Sequence, residues 1–160
     1  MDRINQILYH PLFQQYMKAN AAKETDRIFC KHNMEHAMDV ARIAYILALE
    51  EAAGCRKDVI YGAALLHDIG RHIQYETGEK HALASARLAL EILADCGYEE
   101  KEVALIAEAI KAHSSKEDTY THSLKDILAR ADKLSRACYS CKAREACNWS
   151  GQKKNHQIIL

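Results

Sequence analysis

The sequence predicts an all-α fold: a single compact bundle of about six helices, residues 1–160, closed by a mostly irregular C-terminal segment. Three observations predict it. The 160-residue chain is 49% hydrophobic with six glycines and one proline, which gives one domain a core but few of the turns an all-β chain needs. Apolar residues recur at spacings of three and four, the period of a helix face. Gly54, Gly70 and Gly97 each follow such a run, where a helix would stop.

The elements follow in order. Helices are predicted near 2–20, 25–53, 56–69, 79–96, 99–114 and 123–140. Ser123 with Asp126 resembles a capping box opening the sixth. Segments 73–80 ("IQYETGEK") and 114–122 ("SSKEDTYTH") are read as loops at the entrance to any site the helices build. The core covers about 25–136. Residues 137–160 carry no clear period and are expected to wrap over the helices as loop with a short helical turn. No repeat, low-complexity tract or Pro/Gly/Ser-rich linker interrupts the chain.

Composition excludes several classes. Formal net charge is zero, so the basic excess of a nucleic-acid binder is missing. The N-terminus "MDRINQILYHPLF" lacks the basic flank and apolar stretch of a signal peptide. No segment reaches membrane-span length. The expectation is a cytoplasmic protein with no nucleic-acid or membrane partner. Its six cysteines are then thiols or metal ligands rather than disulfides.

Five predicted helices each turn one ionisable group onto the apolar stripe. His36 precedes Val40, Ile43, Ala44 and Leu47; His67 continues Val59 and Ala63; His81 leads to Ser85, Leu88 and Ile92. His113 ends the stripe of Val103, Ile106, Ala109 and Ile110, and Asp132 continues Leu124 and Leu128. Asp68 adds a sixth group beside His67. One histidine on an apolar face is ordinarily a core residue satisfied by one hydrogen bond. Six such groups in one small core would each need a partner. One or two divalent metals satisfy all of them together, and imidazole with carboxylate suits Fe, Mn, Co, Ni or Zn.

With His36 in "HAMDVARIA", His67–Asp68 in "ALLHDIGRH" and Asp132 in "ILARADKLSRA", the chain resembles the HD superfamily of metal-dependent phosphohydrolases over about residues 30–136. His81 in "KHALASARLALEIL" and His113 in "IAEAIKAHSS" make it most similar to small dinuclear members, some of which split dinucleoside polyphosphates such as diadenosine tetraphosphate. The resemblance implies an HD-domain fold. It implies one metal among His36, His67, Asp68 and Asp132, a second on His81 and His113, and Asp68 bridging. Some dinuclear members carry another histidine where this chain has Ser114, which leaves the second metal open to water or substrate.

The implied reaction is hydrolysis of a phosphate ester or anhydride of a nucleotide or related small molecule by a metal-activated hydroxide. Positive charge must meet the phosphoryl oxygens. Arg71 is the first candidate, then Lys133 and Arg136; solvated surface charge is the plain reading of each. Ser114 and His32 are candidate substrate contacts, His32 lying one turn before His36 if the helix begins at 25. His72 and His122 are candidates for the entrance or plain surface; His10 and His156 carry no signal. Two other classes compete: a non-catalytic module using the centre to hold a phosphorylated ligand or sense redox state, and a di-iron oxygenase. A single-metal nucleotidase is the alternative within the class.

A second cluster stands in "RACYSCKAREACNW", with Cys138, Cys141 and Cys147. Cys-x2-Cys spacing lets two sulfurs chelate one ion. Cys30 is the candidate fourth ligand, brought to Cys138 if the second and sixth helices run antiparallel. Structural Zn2+ and an iron–sulfur cluster both fit four thiolates; plain reduced thiols are the alternative. Cys55 and Cys96 stand alone and are read as inert.

Overall fold

A computed structural model describes residues 2–114 and 120–160. Among them eight α-helices and one 3-10 turn form: α1 (Arg3–Tyr9), α2 (Pro11–Lys23), α3 (Met34–Glu50), α4 (Lys57–Leu66), α5 (Arg71–Thr77), α6 (His81–Asp95), α7 (Glu100–Ala112), α8 (Leu124–Leu134) and the turn Cys138–Ser140. The all-α class stands, and the C-terminal segment is irregular apart from that turn. Among the described residues no helix is long and apolar enough to cross a membrane.

The boundaries differ from the expected ones for local reasons. The helix expected at 2–20 breaks at His10, because a residue before proline avoids the helical region, and Pro11 opens α2. His10, silent in the sequence, caps α2 by accepting from the Leu12 N–H at 3.2 Å. The helix expected at 25–53 starts only at Met34, capped by Asn33, whose side chain accepts from the His36 N–H at 3.0 Å. The helix expected at 123–140 keeps its Ser123 cap but ends at Leu134. The loop expected at 73–80 is mostly α5.

α4 is the central element: Val59, Ile60, Gly62, Ala63, Ala64, Leu65 and Leu66 are all buried. It packs against α1, α3, α6, α7 and α8. Ile60, Leu66, Ile92, Leu93, Ile106, Ile110, Ile127 and Leu128 are fully buried around it. A helix apolar all round belongs in the centre, so the His–Asp pair at its C-terminal end is delivered into the middle of the molecule.

Two glycines matter for that delivery. Gly97 ends α6 with φ +76, the left-handed geometry of a C′ glycine. Gly70 has ordinary backbone angles; a Cβ there would lie 2.6–2.7 Å from Ser85 N and Ala84 Cβ. It allows the turn after Asp68 to press onto α6, where the Gly70 N–H donates to Ser85 Oγ at 2.9 Å.

Candidate metal centre

All six predicted ligands converge. Ligand atoms of His36, His67, Asp68 and Asp132 lie within 4.8 Å of one another, and so do those of Asp68, His81 and His113. Asp68 belongs to both sets, one oxygen to each. Its Oδ2 lies 3.1 Å from His67 Nε2 and 3.5 Å from His36 Nε2. Its Oδ1 lies 3.3 Å from His81 Nε2 and 4.0 Å from His113 Nε2. Asp132 Oδ1 completes the first set, 3.2 Å from His36 Nε2 and 3.7 Å from His67 Nε2.

The hydrogen bonds on the far side of each ring fix what faces inward. A ring whose Nδ1–H donates presents a lone pair at Nε2. His67 Nδ1 donates to the Ala64 carbonyl at 2.7 Å and His113 Nδ1 to the Ile110 carbonyl at 2.6 Å. His81 Nδ1 meets Gln74 Oε1 at 2.8 Å. His36 Nδ1 meets Ser135 Oγ at 3.2 Å, and that hydroxyl already donates to the Asp132 carbonyl.

The inward side is then acceptor against acceptor. His81 Nε2 and His113 Nε2 face each other at 3.2 Å. His67 Nε2 and Asp68 Oδ2 are buried without any hydrogen-bond partner. His67 is fully buried and Asp68 6% exposed, so water does not relieve them. Burial drives the His81 ring down to about 3 and holds His113 and His32 below the usual imidazole range. Burial also opposes charge on His67, but Asp68 and Asp132 outweigh it and push this ring up to about 10: their negative charge draws a positive charge to Nε2, a proton that a bound metal would replace. Burial would raise Asp68, yet His67 and Arg71 hold its carboxyl well below the usual range. This donor set fits divalent cations, which accept from every lone pair at once.

The supporting residues were hidden in the sequence. Asn20, fully buried on α2, donates to the Asp68 carbonyl at 2.9 Å and accepts from the His72 N–H at 2.8 Å. Gln74, Ser85 and Ser135 join it. Glu24, 2% exposed, accepts from the His32 N–H at 2.8 Å and also holds the His32 Nδ1. Tyr75 donates to the same carboxylate at 2.7 Å. A buried polar residue on an otherwise amphipathic helix was the only signal for Asn20.

His32 stands in the irregular segment before α3, not on the expected helix, yet it is buried with Nε2 3.9 Å from Asp68 Oδ2. Arg71 Nε donates to Asp68 Oδ1 at 3.0 Å. Arg136, 7% exposed, reaches Asp132 Oδ1 at 3.2 Å and His36 Nε2 at 3.0 Å. Lys133 is exposed. One residue past Asp132 turns about 100° around the helix, whereas position 136 returns to the same side. Ser114 is exposed just beyond His113, and 115–119 of the expected entrance loop lie outside the described residues. His72 bonds Asn20 and the Ile69 carbonyl and stacks on Tyr16, and the exposed His122 bonds Glu51.

Cys30, Cys138, Cys141 and Cys147 line one cavity of about 330 Å³ together with His32, Arg71, Asp132 and Arg136. Cys30 comes from the irregular segment and Cys138 from beyond the end of α8, not from two antiparallel helices. All four are free thiols, and among the described residues they form no group of three or more donor atoms within 4.8 Å of one another.

The HD domain profile matches residues 33–137. An uncharacterized protein of Clostridium beijerinckii is 45% identical over 158 residues, covering 99% of each chain. A Bacillus subtilis protein named "Putative phosphohydrolase YueE" is 30% identical over 145 residues, covering 80% of this chain and 73% of that one. Ribonuclease Y 1 of Pediococcus pentosaceus is 34% identical over 104 residues, 65% of this chain but only 18% of that protein. The crystal structure of a predicted HD superfamily hydrolase from an uncultured Thermotogales bacterium superposes with a TM-score of 0.66 at 24% identity, covering 91% of this chain and 80% of that one.

Proposed function

The chain belongs to the HD domain family, and from that membership we propose that it is a metal-dependent phosphohydrolase acting on a phosphate ester or anhydride of a nucleotide or related small molecule. One observation carries the reading: the two oxygens of buried Asp68 face two separate sets of histidine lone pairs. His36, His67, Asp68 and Asp132 would hold one divalent cation, and Asp68, His81 and His113 the other. A pair of such ions supplies an acidified water and Lewis-acid polarisation of phosphoryl oxygens.

The protein's own residues do the rest. Asn20, through the Asp68 carbonyl, and Gln74, Ser135 and the Ala64 and Ile110 carbonyls hold the ligands in one tautomer and one orientation. Arg71 and Arg136 reach the cavity from the ligand carboxylates and would offer guanidinium charge to the oxygens of a phosphoryl group bound there. His32, fixed by Glu24, closes the wall beside Asp68. The B. subtilis relative's name supports the same reaction class.

The test is metal content by plasma mass spectrometry together with hydrolysis of p-nitrophenyl and bis-p-nitrophenyl phosphate, for wild type and the H67A/D68A double variant. About two transition-metal ions per chain, lost in the variant, with turnover restored by Mn, Fe or Co, is the expected result. Turnover with redox-inert ions also separates a hydrolase from an oxygenase. A wild-type chain that binds no metal and gains no turnover on reconstitution overturns the proposal.

A further inference from the structure

We infer that the C-terminal segment, residues 137–160, forms one wall of a nucleoside polyphosphate pocket, in which Arg27, Arg144 and Lys154 take the phosphates lying beyond the metal centre and Trp149 stacks on the base. The 330 Å³ cavity runs from Asp132, Arg71 and Arg136 to these four residues and to Phe29. Such a volume is at the lower end for small-molecule sites and accommodates a mononucleotide-sized ligand.

The charges on this wall are unbalanced. Arg27 Nε donates to the Cys30 carbonyl at 2.9 Å. Arg144 Nη2 meets His156 Nδ1 at 2.7 Å. Lys154 Nζ donates to the Arg144 and Cys147 carbonyls at 2.9 and 3.2 Å. Among the described residues none of the three is paired with a carboxylate. Elsewhere in the same chain Arg3, Arg56 and Arg130 each meet two. The protein carries no net charge, yet among the described residues Asp132 is the only acid lining a cavity that also holds five cationic side chains. Arg27 and Lys154 are half-buried and Arg144 is exposed, and cations gathered without counter-charge are stabilised by an anionic ligand.

The metal centre with Arg71 and Arg136 accounts for one phosphate. Three further cations along the same cavity call for more negative charge on the same ligand. Phe29 and Trp149, both half-buried on the lining, have flat apolar faces of the kind on which a base stacks, with the Arg27 guanidinium 5.8 Å from the Phe29 ring centroid. A phosphosugar would use the cations and leave these faces idle. A nucleoside polyphosphate uses both. The orientation of the ligand, reacting phosphate toward Asp68, rests on the phosphohydrolase reading; the pocket itself does not.

Trp149 is the only tryptophan in the chain, so its emission reports on this wall alone. The experiment titrates chelator-treated full-length protein with ATP, ribose 5-phosphate, inorganic phosphate and a short oligoribonucleotide while following that emission. ATP is expected to change it saturably. Its Kd is expected to rise about tenfold or more in both R27Q and R144Q/K154Q. Because Lys154 also braces the tail, R27Q on the opposite segment keeps the test independent of tail folding. Wild-type ATP affinity in R27Q, no emission change with ATP, or tighter binding of phosphate, ribose 5-phosphate or the oligoribonucleotide than of ATP each overturns the inference. Hydrolysis of p-nitrophenyl phosphate by the metal-loaded wild-type chain is measured alongside. Its absence with ATP binding intact removes the hydrolase reading and leaves the pocket standing; its presence without ATP binding does the reverse.

Discussion

Two polar clusters sit in this fold and are built on opposite principles. In the first, Arg3 on α1 bonds Asp58 on α4 and Glu102 on α7, and Arg56 joins the same two carboxylates. The Arg3 guanidinium also lies 4.1 Å over the Tyr98 ring, and the Tyr98 hydroxyl donates to the Asp58 carbonyl at 2.8 Å. Every charge there has a protein partner of opposite sign. In the second, around Asp68, lone pairs face lone pairs and two buried atoms are left without a partner. A satisfied cluster holds helices together. An unsatisfied one, maintained by seven or so well-placed outer hydrogen bonds, is held ready for something the chain does not itself contain.

The largest test of that contrast is Asp68→Ala. Removing the shared carboxylate should weaken metal binding and lower kcat/KM by more than about 100-fold, since outer partners alone are worth 10–100-fold. Metal analysis with turnover reads it, and retention of both ions would break the comparison. Next comes Gln74→Leu, which frees the His81 ring. Metal affinity is expected to fall roughly 10–100-fold with the helical circular dichroism unchanged; an unchanged affinity would show that His81 needs no such support.

Arg3→Leu probes the satisfied cluster. Stability should drop by about 1–3 kcal/mol in denaturant melts, because Asp58 and Glu102 lose their main partner. Metal content should not change, and a variant that loses metal would merge the two clusters. The smallest effect is in pH. Arg3 holds Glu102 down to about 2, against an ordinary 4.5. A depressed carboxyl contributes stability that is complete above the unfolded value and is lost as pH falls through the folded one. The stability gap between wild type and Arg3→Leu should therefore be full above pH 4.5 and narrow toward pH 2. A constant gap would mean that Arg3 acts by packing on Tyr98 rather than by charge.

The ligands were legible for a physical reason. His36, His67, His81, His113 and Asp132 each continue an apolar stripe at three or four residues, and the helix period alone turns them inward, the four histidines buried and Asp132 half-buried. Lys133 and Arg136 were equal candidates by that logic; Arg136 is buried against Asp132, and Lys133 is exposed. Where the expected helix was absent, as at residues 25–33, His32 still reached the centre through the Glu24 side chain, a contact eight residues long that no periodicity encodes.

The sequence by itself determined the all-α class, the inward set of six candidate ligands and the cysteine-bearing tail, because each follows from spacing within one helix or from composition. Only the tertiary structure decided that Asn20 holds the Asp68 backbone 48 residues away, that Arg136 turns inward, and that Asn155 caps the end of α8 through the Lys133 and Arg136 carbonyls. It also decided that the four cysteines share one cavity with Arg27, Arg144 and Lys154. These are pairings between segments far apart in the chain, fixed by how the helices pack around α4, and a helix period carries no record of them.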